Sequence, residues 1–509
     1  MQILDSYVCG AWKQGAGQGS DLTNPTTNAV IARTSTEGID MAAVVRHGRD
    51  VGGAALRAMT FAERAAMLKG VSAAIHAERD ALLDLAAANG GNTRGDGKFD
   101  VDGATGTLAA YASFGKGLGD KPYLVDGEGA QLGRTARFWG QHIRVPRRGV
   151  AVHINAYNFP AWGMMEKAAC AWLAGVPVIE KPAAATALVA WRIAHIITES
   201  GLVPEGAFQF LCGSAGDLFD HLTGQDCVAF TGSAATGAVI RANPTLVKQN
   251  VRVNVEADSL NSAILAPDVD ASSDAYGLFL SNVSLDMTQK AGQKCTAVRR
   301  ILVPADRVGD VQTDLIAELG RVQMGDPADA GVRLGPVAHA RQHADVQAGI
   351  AKLATVAEIV CGGAEAPRAG CFVSPTLLVA KDASAAVLHE LEVFGPVATI
   401  VPYSGDADEA AAIAARGEGS LVCSVYSNDA DWTERAVLGL APFHGRVWIG
   451  SDKSADQALP PGMVLPGMVH GGPGRAGGGE ELGGLRGLDF YTQRVAVQGF
   501  KGLLEAKFT

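Results

Sequence analysis

Three residues in this chain have the types and surroundings for carbonyl chemistry: Cys295 in KAGQKCTAVRR, Glu256 in VNVEADSLNSAIL and Asn158 in NAYNFPAWG. A free thiol has a pKa near ~8.5, so a nucleophilic cysteine needs cationic or dipolar surroundings. Lys294, Arg299 and Arg300 lie close in sequence, and the glycine-rich approach lets backbone N–H groups face the sulfur. Glu256 directly follows an apolar strand-like run, which places a carboxylate at a strand end near the mouth of a cleft. Burial there is expected to raise its pKa toward the working pH of a general base. Asn158 precedes an aromatic residue and Pro160, in an irregular connection from which its amide can donate to a developing oxyanion. Each residue also has a plainer reading: a small buried hydrophobe, a solvated loop acid and a turn asparagine.

Gly232 and Ser233 lie in FTGSAATG, which follows the strand-like CVAF and opens into a helical stretch. Glycine turns at such a place let backbone amides meet a pyrophosphate, although the pattern departs from G-x-G-x-x-G. The elements around these motifs alternate. GVAVHINA, VPVIEKPA, FQFLCG and CVAFTGS are short β-rich runs separated by helical stretches, which predicts a parallel sheet with crossover helices. A second alternating region spans about 261–450, with candidate strands in SAILAP, RRILVPA, VSPTLLVA, ATIVPY, LVCSVYS and RVWIG. Residues 60–90 read as two helices closed by Asn89, Gly90 and Gly91. ARFWGQHIRVPR and DFYTQRVAVQGF fit neither region. They could pair as an extension joining subunits or form an ordinary surface hairpin.

With 509 residues, the chain exceeds the ~250–300 at which single cores stop growing, so two large lobes are expected. A net charge of −10 argues against a nucleic-acid footprint. No apolar run reaches the ~18 residues of a membrane span, and the N-terminus lacks a secretory pattern. The eight cysteines form no C-x-x-C pair, as expected of reduced thiols in a cytoplasmic protein, and no metal site is predicted.

Taken in order, NAYNFP, VIEKPA, FTGSAATG, the glutamate of VEADSLN, GQKCTA, EVFGPV and GRVWIG resemble the aldehyde dehydrogenase superfamily over essentially the whole chain. The resemblance implies an α/β fold with three parts. These are a Rossmann-like NAD(P) domain (1–132 and 150–257), an α/β catalytic domain (258–470) and a small β oligomerisation extension (133–149 and 485–509). It implies Cys295 as nucleophile, Glu256 as general base and Asn158 as oxyanion donor beside the Cys295 N–H. Lys181 would hold the adenine ribose, Gly232 and Ser233 the pyrophosphate, and Glu392 with Phe394 the nicotinamide ribose and ring. Glu481 matches a position linked either to proton relay or to a structural salt bridge. The implied partners are a small-molecule aldehyde and further copies of the chain in a homodimer or homotetramer, with no nucleic acid and no membrane.

Two departures carry information. The family often has Glu three residues after the lysine, gripping the ribose 2′-hydroxyl, whereas this chain has Ala184. A carboxylate ~4 Å from a 2′-phosphate would be repelled by roughly 4 kcal/mol per charge pair at an effective dielectric near 20, so its absence favours NADP over NAD. The motif EADSLN and the stretch LPGMVHGGPGRAGGGEELGG resemble those of family members that oxidise CoA-thioester semialdehydes in aerobic aromatic degradation. Arg475 is a candidate for the CoA phosphates. The competing readings are a dehydrogenase of another small aldehyde, a CoA-acylating enzyme, which would not need Glu256, and an inactive nucleotide-binding homologue. A cofactor-free cysteine hydrolase also competes, although no histidine can be assigned as its base from sequence.

Overall fold

The computed structural model describes residues 2–363 and 368–508; Met1 and Thr509, the outer ends of the expected segments, lie outside the described residues. Two seven-stranded sheets organise the chain. In the first, Ala151–Ile154 is central. Val178–Lys181 and then Phe208–Phe210 lie on one side of it, and Cys227–Thr231 and then Arg252–Glu256 on the other. All five are parallel, and the N-terminal hairpin Ser6–Val8 and Ala11–Lys13 closes one edge antiparallel. The apolar runs are continuous because both faces are covered. Ala151 and Val178 pack into one core, while Val152 and Ile179 pack into the other.

In the second sheet, parallel strands run in the order Thr376–Ala380, Val397–Tyr403, Arg300–Pro304, Ser262–Leu265, Ser420–Tyr426 and His444–Gly450. Ala357–Cys361 is antiparallel at one edge. Thr492–Phe500 pairs antiparallel with Phe138–Pro146 along nine residues, from Thr492 opposite Pro146 to Phe500 opposite Phe138. Phe138, Val495 and Phe500 keep exposed side chains there. Among the described residues no helix is long and apolar enough to cross a membrane.

The expected helix pair is Phe61–Ala77 and Arg79–Gly90, capped by Gly91 in the left-handed region. One long element was not anticipated, the 25-residue helix Arg94–Leu118, which contains six glycines. Each glycine costs a helix ~1 kcal/mol relative to alanine, so propensity argues against it. Packing overrides propensity: a Cβ on Gly103 would stand 2.1 Å from the Trp162 ring, and one on Gly115 would stand 2.4 Å from Leu173. The glycines let this helix lie close to Trp162–Ala174, and a Thr93–Asp96 capping box fixes its start.

The first sheet reverses strand order between Ala151–Ile154 and Cys227–Thr231, which opens a crevice at the carboxyl ends of the strands. Asn155 to Asn158, Lys181, Thr231 and Glu256 all sit at those ends or directly beyond them.

Candidate active site

Cys295 follows a turn in which Lys290, Ala291 and Gly292 all adopt positive φ, at 54°, 52° and 68°. Only glycine fits at 292, because a Cβ there would stand 2.2 Å from the Gly395 carbonyl oxygen. The two non-glycine residues store strain that the surroundings hold in place, since the Lys290 N–H donates to Asp96 at 2.8 Å. The basic residues near Cys295 in sequence do not activate it. Lys294 Nζ is bound to Asp286 at 2.7 Å and Gln289 at 2.9 Å, Arg299 donates to the carbonyls of Gly395 and Gly292, and Arg300 donates to those of Leu260 and Ala414. These cations are committed to holding the loop and sheet together. The thiol is therefore pushed well above its usual range, first by burial and then by the Glu256 carboxylate beside it. Proton removal by a base, rather than stabilisation by local cations, must supply the thiolate.

That base is at hand. Glu256 ends the strand Arg252–Glu256, buried, and its carboxylate contacts the Cys295 thiol. His470, on the short strand Val469–Gly471, places Nε2 3.2 Å from Glu256 Oε2 and 3.9 Å from Cys295 Sγ. Burial alone raises the Glu256 carboxyl, but the His470 and Lys167 cations outweigh it and hold Glu256 below the usual carboxylate range. This corrects the expectation that burial lifts its pKa. Burial likewise disfavours charge on His470, and Glu256 reverses that effect, raising the imidazole. The resting arrangement is a buried Glu256–His470 pair against the thiol.

Behind Glu256 lies a charged cluster. Lys167 Nζ stands 3.3 Å from Glu166 and 3.2 Å from Glu481, and Glu481 also accepts from Asn254 Nδ2 at 3.3 Å. Glu166, Glu256 and Glu481 each bring a carboxylate oxygen within 4.8 Å of the others. Burial raises Glu166 to about 7 against the pull of Lys167.

Two cavities meet at Cys295 and share Ala156, Asn158, Thr231 and Glu256. One is an apolar tunnel past Phe99, Phe159, Trp162 and Val464. Asn158 donates one amide hydrogen to the Gln293 carbonyl at 3.0 Å, which orients the group and leaves its second N–H for an oxygen bound at Cys295. The other is a cleft of about 730 Å³ lined by Phe230, Gly232, Ser233, Glu392 and Phe394. Ser233 caps the helix Ala234–Arg241, whose first amide donates to Asp258 at 2.8 Å. Glu392 accepts from the Ser259 N–H at 3.1 Å, and burial raises its carboxyl to about 7 against Arg299. Glu392 Oε1 and Thr231 Oγ1 are buried without a hydrogen-bond partner. A neighbouring recess holds Lys181, Ala184, Ser214 and Gly216, with exposed Glu37 and Asp217 also lining it. A cleft of this size, with the buried Thr231 hydroxyl lacking a hydrogen-bond partner, the Glu392 carboxylate on its wall and a nearby lysine, fits an extended dinucleotide.

The model of the aldehyde dehydrogenase family matches residues 12–497. The chain belongs to the aldehyde dehydrogenase family. It is 46% identical over 478 residues to a 3,4-dehydroadipyl-CoA semialdehyde dehydrogenase of Aromatoleum evansii, covering 92% of this chain and 93% of that protein. It is 29% identical to an NADP-type succinate-semialdehyde dehydrogenase of Escherichia coli, over 93% of this chain and 94% of that one. Among solved structures, betaine aldehyde dehydrogenase of Staphylococcus aureus in complex with NAD+ superposes with TM-score 0.84 at 25% identity, covering 97% of this chain and 94% of that one.

In this aldehyde dehydrogenase, the tertiary structure brings Cys295, Glu256 and Asn158 together at one point and puts Glu392, Phe394, Gly232 and Ser233 along the cleft. Lys181 lies in the adjoining recess, and Glu481 is paired with Lys167 within 4.8 Å of the Glu256 carboxylate. Arg475 is not at the aldehyde tunnel. It lines the larger cleft, which also reaches Cys295, and donates to the carbonyls of His389 and Glu390. His470, Lys167 and Glu166 were not singled out in the sequence. The only signal was MVHGG, where the histidine immediately precedes a glycine pair in the C-terminal motif.

Proposed function

We propose that this aldehyde dehydrogenase oxidises a CoA-thioester semialdehyde, 3,4-dehydroadipyl-CoA semialdehyde or a close analogue, to the carboxylic acid with NADP in the cytoplasm. The observation that carries the reading is the 46% identity, over nearly the whole of both chains, to a dehydrogenase of that substrate. The site supports it. Beyond the tunnel a groove of about 540 Å³ shares Phe99, Trp162 and Val464 with it and continues along the glycine face of the helix Arg94–Leu118, past Lys98, Gly103 and Gly106. A small aldehyde needs no such annex; an acyl-CoA chain does.

Glu256 takes the thiol proton, and Cys295 attacks the aldehyde carbon to form a thiohemiacetal whose oxygen receives the free N–H of Asn158 and the Cys295 amide. The dinucleotide, when bound, accepts the hydride. Glu256 passes the thiol proton to solvent through the open cleft and, a carboxylate again, deprotonates the water that cleaves the thioacyl group; the Lys167 ammonium, held between Glu166 and Glu481, keeps Glu256 ionised. Lys181, Gly232, Ser233, Glu392 and Phe394 hold the dinucleotide. The paired strands Phe138–Pro146 and Thr492–Phe500, with their exposed apolar side chains, join copies of the chain.

Gly106 is exposed on its helix with nothing within 4 Å of an added Cβ. Gly106→Trp fills the groove without touching the core. Its expected effect is a loss of about 10-fold or more in kcat/KM for the CoA semialdehyde, with a short-chain aldehyde left within about twofold, since steric misfits commonly amount to ~1–3 kcal/mol. Equal losses on both substrates would place the CoA moiety elsewhere.

Ala184→Glu introduces the missing acid beside Lys181. NADP kcat/KM should drop roughly 100-fold with NAD little changed, which is less than the ~4 kcal/mol of the unscreened repulsion because the recess is open to solvent. Steady-state rates with each dinucleotide, on CoA semialdehyde and on the free-acid semialdehyde, test both halves of the reading. Equal rates with NAD and simple aldehydes would overturn the substrate and cofactor together.

A further inference from the structure

Zinc-type coordination has a fixed geometry. With bonds of about 2.0 Å to nitrogen and oxygen and about 2.3 Å to sulfur, tetrahedral angles put N···O near ~3.3 Å and N···S near ~3.5 Å. In this chain His470 Nε2 is 3.2 Å from Glu256 Oε2 and 3.9 Å from Cys295 Sγ, and all three atoms lie within 4.8 Å of one another. The two edges that meet at His470 match a metal face to within a few tenths of an ångström, and the third lies within the 4.8 Å that the ligand atoms span. Glu256 and His470 are buried and Cys295 is half-buried on the wall of the open cleft, so an ion enters through the cleft and solvent can supply the fourth ligand.

We propose that Cys295, Glu256 and His470 form a binding site for a thiophilic divalent cation such as Zn2+, whose occupancy reversibly blocks the nucleophile. Sulfur and imidazole donors select zinc, cadmium or cobalt over magnesium and calcium. Binding converts the thiol to a metal-bound thiolate and takes the proton from His470 Nε2, releasing both protons to solvent with no change of oxidation state. Glu166 and Glu481 add negative potential around the site. Lys167 and Arg446 oppose it, but Lys167 is already paired with both acids and Arg446 is tied to the carbonyls of Met463 and Pro461. The three ligands come from separate elements with no metal-motif spacing, so no pattern in the sequence announces the site.

The test uses the untagged full-length chain without dinucleotide, titrated with Co2+ and followed by absorbance, with Zn2+ as competitor. The expected result is one equivalent bound with a thiolate-to-cobalt charge-transfer band and tetrahedral d–d bands, removed by Zn2+. Zn2+ should inhibit turnover, and EDTA should reverse the inhibition. His470→Phe, Glu256→Ala and Cys295→Ala should each weaken Zn2+ binding by about 100-fold or more, beyond the ~10–100-fold that loss of an outer-shell partner costs. Cys361→Ser, a half-exposed cysteine on the strand Ala357–Cys361, should leave the band intact. A band that survives His470→Phe and Glu256→Ala in folded protein, or cobalt bound with no thiolate band, overturns the proposal.

Discussion

Glu256→Gln should release one equivalent of reduced dinucleotide per site in a first phase slower than that of the wild type, and then turn over more slowly still, about 10²- to 10⁴-fold below the wild type, with the acyl group accumulating on Cys295. The range is that of losing a positioned general base. The Glu256 carboxylate faces the thiol and also the cavity junction where water must approach a thioacyl group. Thiolate formation can be slow yet still complete, whereas hydrolysis without a base stalls. Rapid-quench measurement of the first turnover and intact-mass analysis of the protein separate the phases. Cys295→Ala is the inactive baseline, showing neither burst nor adduct. If Glu256→Gln loses the first phase as completely as Cys295→Ala, the thiol cannot ionise without Glu256, and the expected stall at hydrolysis is rejected.

Lys167→Met should destabilise the protein by about 3–5 kcal/mol, the range for removing one partner from a buried ionic cluster. Lys167 is almost fully buried, with Glu166 and Glu481 within 3.3 Å of its ammonium group. Burial disfavours its charge, yet Glu481 and Glu166 more than restore it and raise its pKa above the ordinary lysine value. Without the cation, the carboxylates of Glu166, Glu256 and Glu481 face one another uncompensated. Lys167→Met with Glu481→Gln should recover part of the loss, because one of the repelling charges is gone. Unfolding midpoints in denaturant, compared across the wild type, single and double variants, check this. An unchanged midpoint in the single variant would mean that the acids are held neutral and the cluster is not ionic.

The sequence by itself determined the strands, the order of the motifs and the family. Short apolar runs such as GVAVHI and VPVIEK are buried on both faces, so burial and sequence pattern coincide. The carboxyl-end position of Glu256 followed from where its apolar run stops. The helix Arg94–Leu118 was hidden because its glycines serve close packing against Trp162 and Leu173, a contact that no local propensity encodes. The electrostatics of the site were also hidden. Lys294, Arg299 and Arg300 are neighbours of Cys295 along the chain but spend their charges on Asp286 and on backbone carbonyls. The cation that governs Glu256 is His470, far away in sequence and brought within 3.2 Å by a strand of three residues. Apolar patterning is a local property and can be read residue by residue. The charge state of a buried group depends on what lies within a few ångströms in space, and only the tertiary structure decided that.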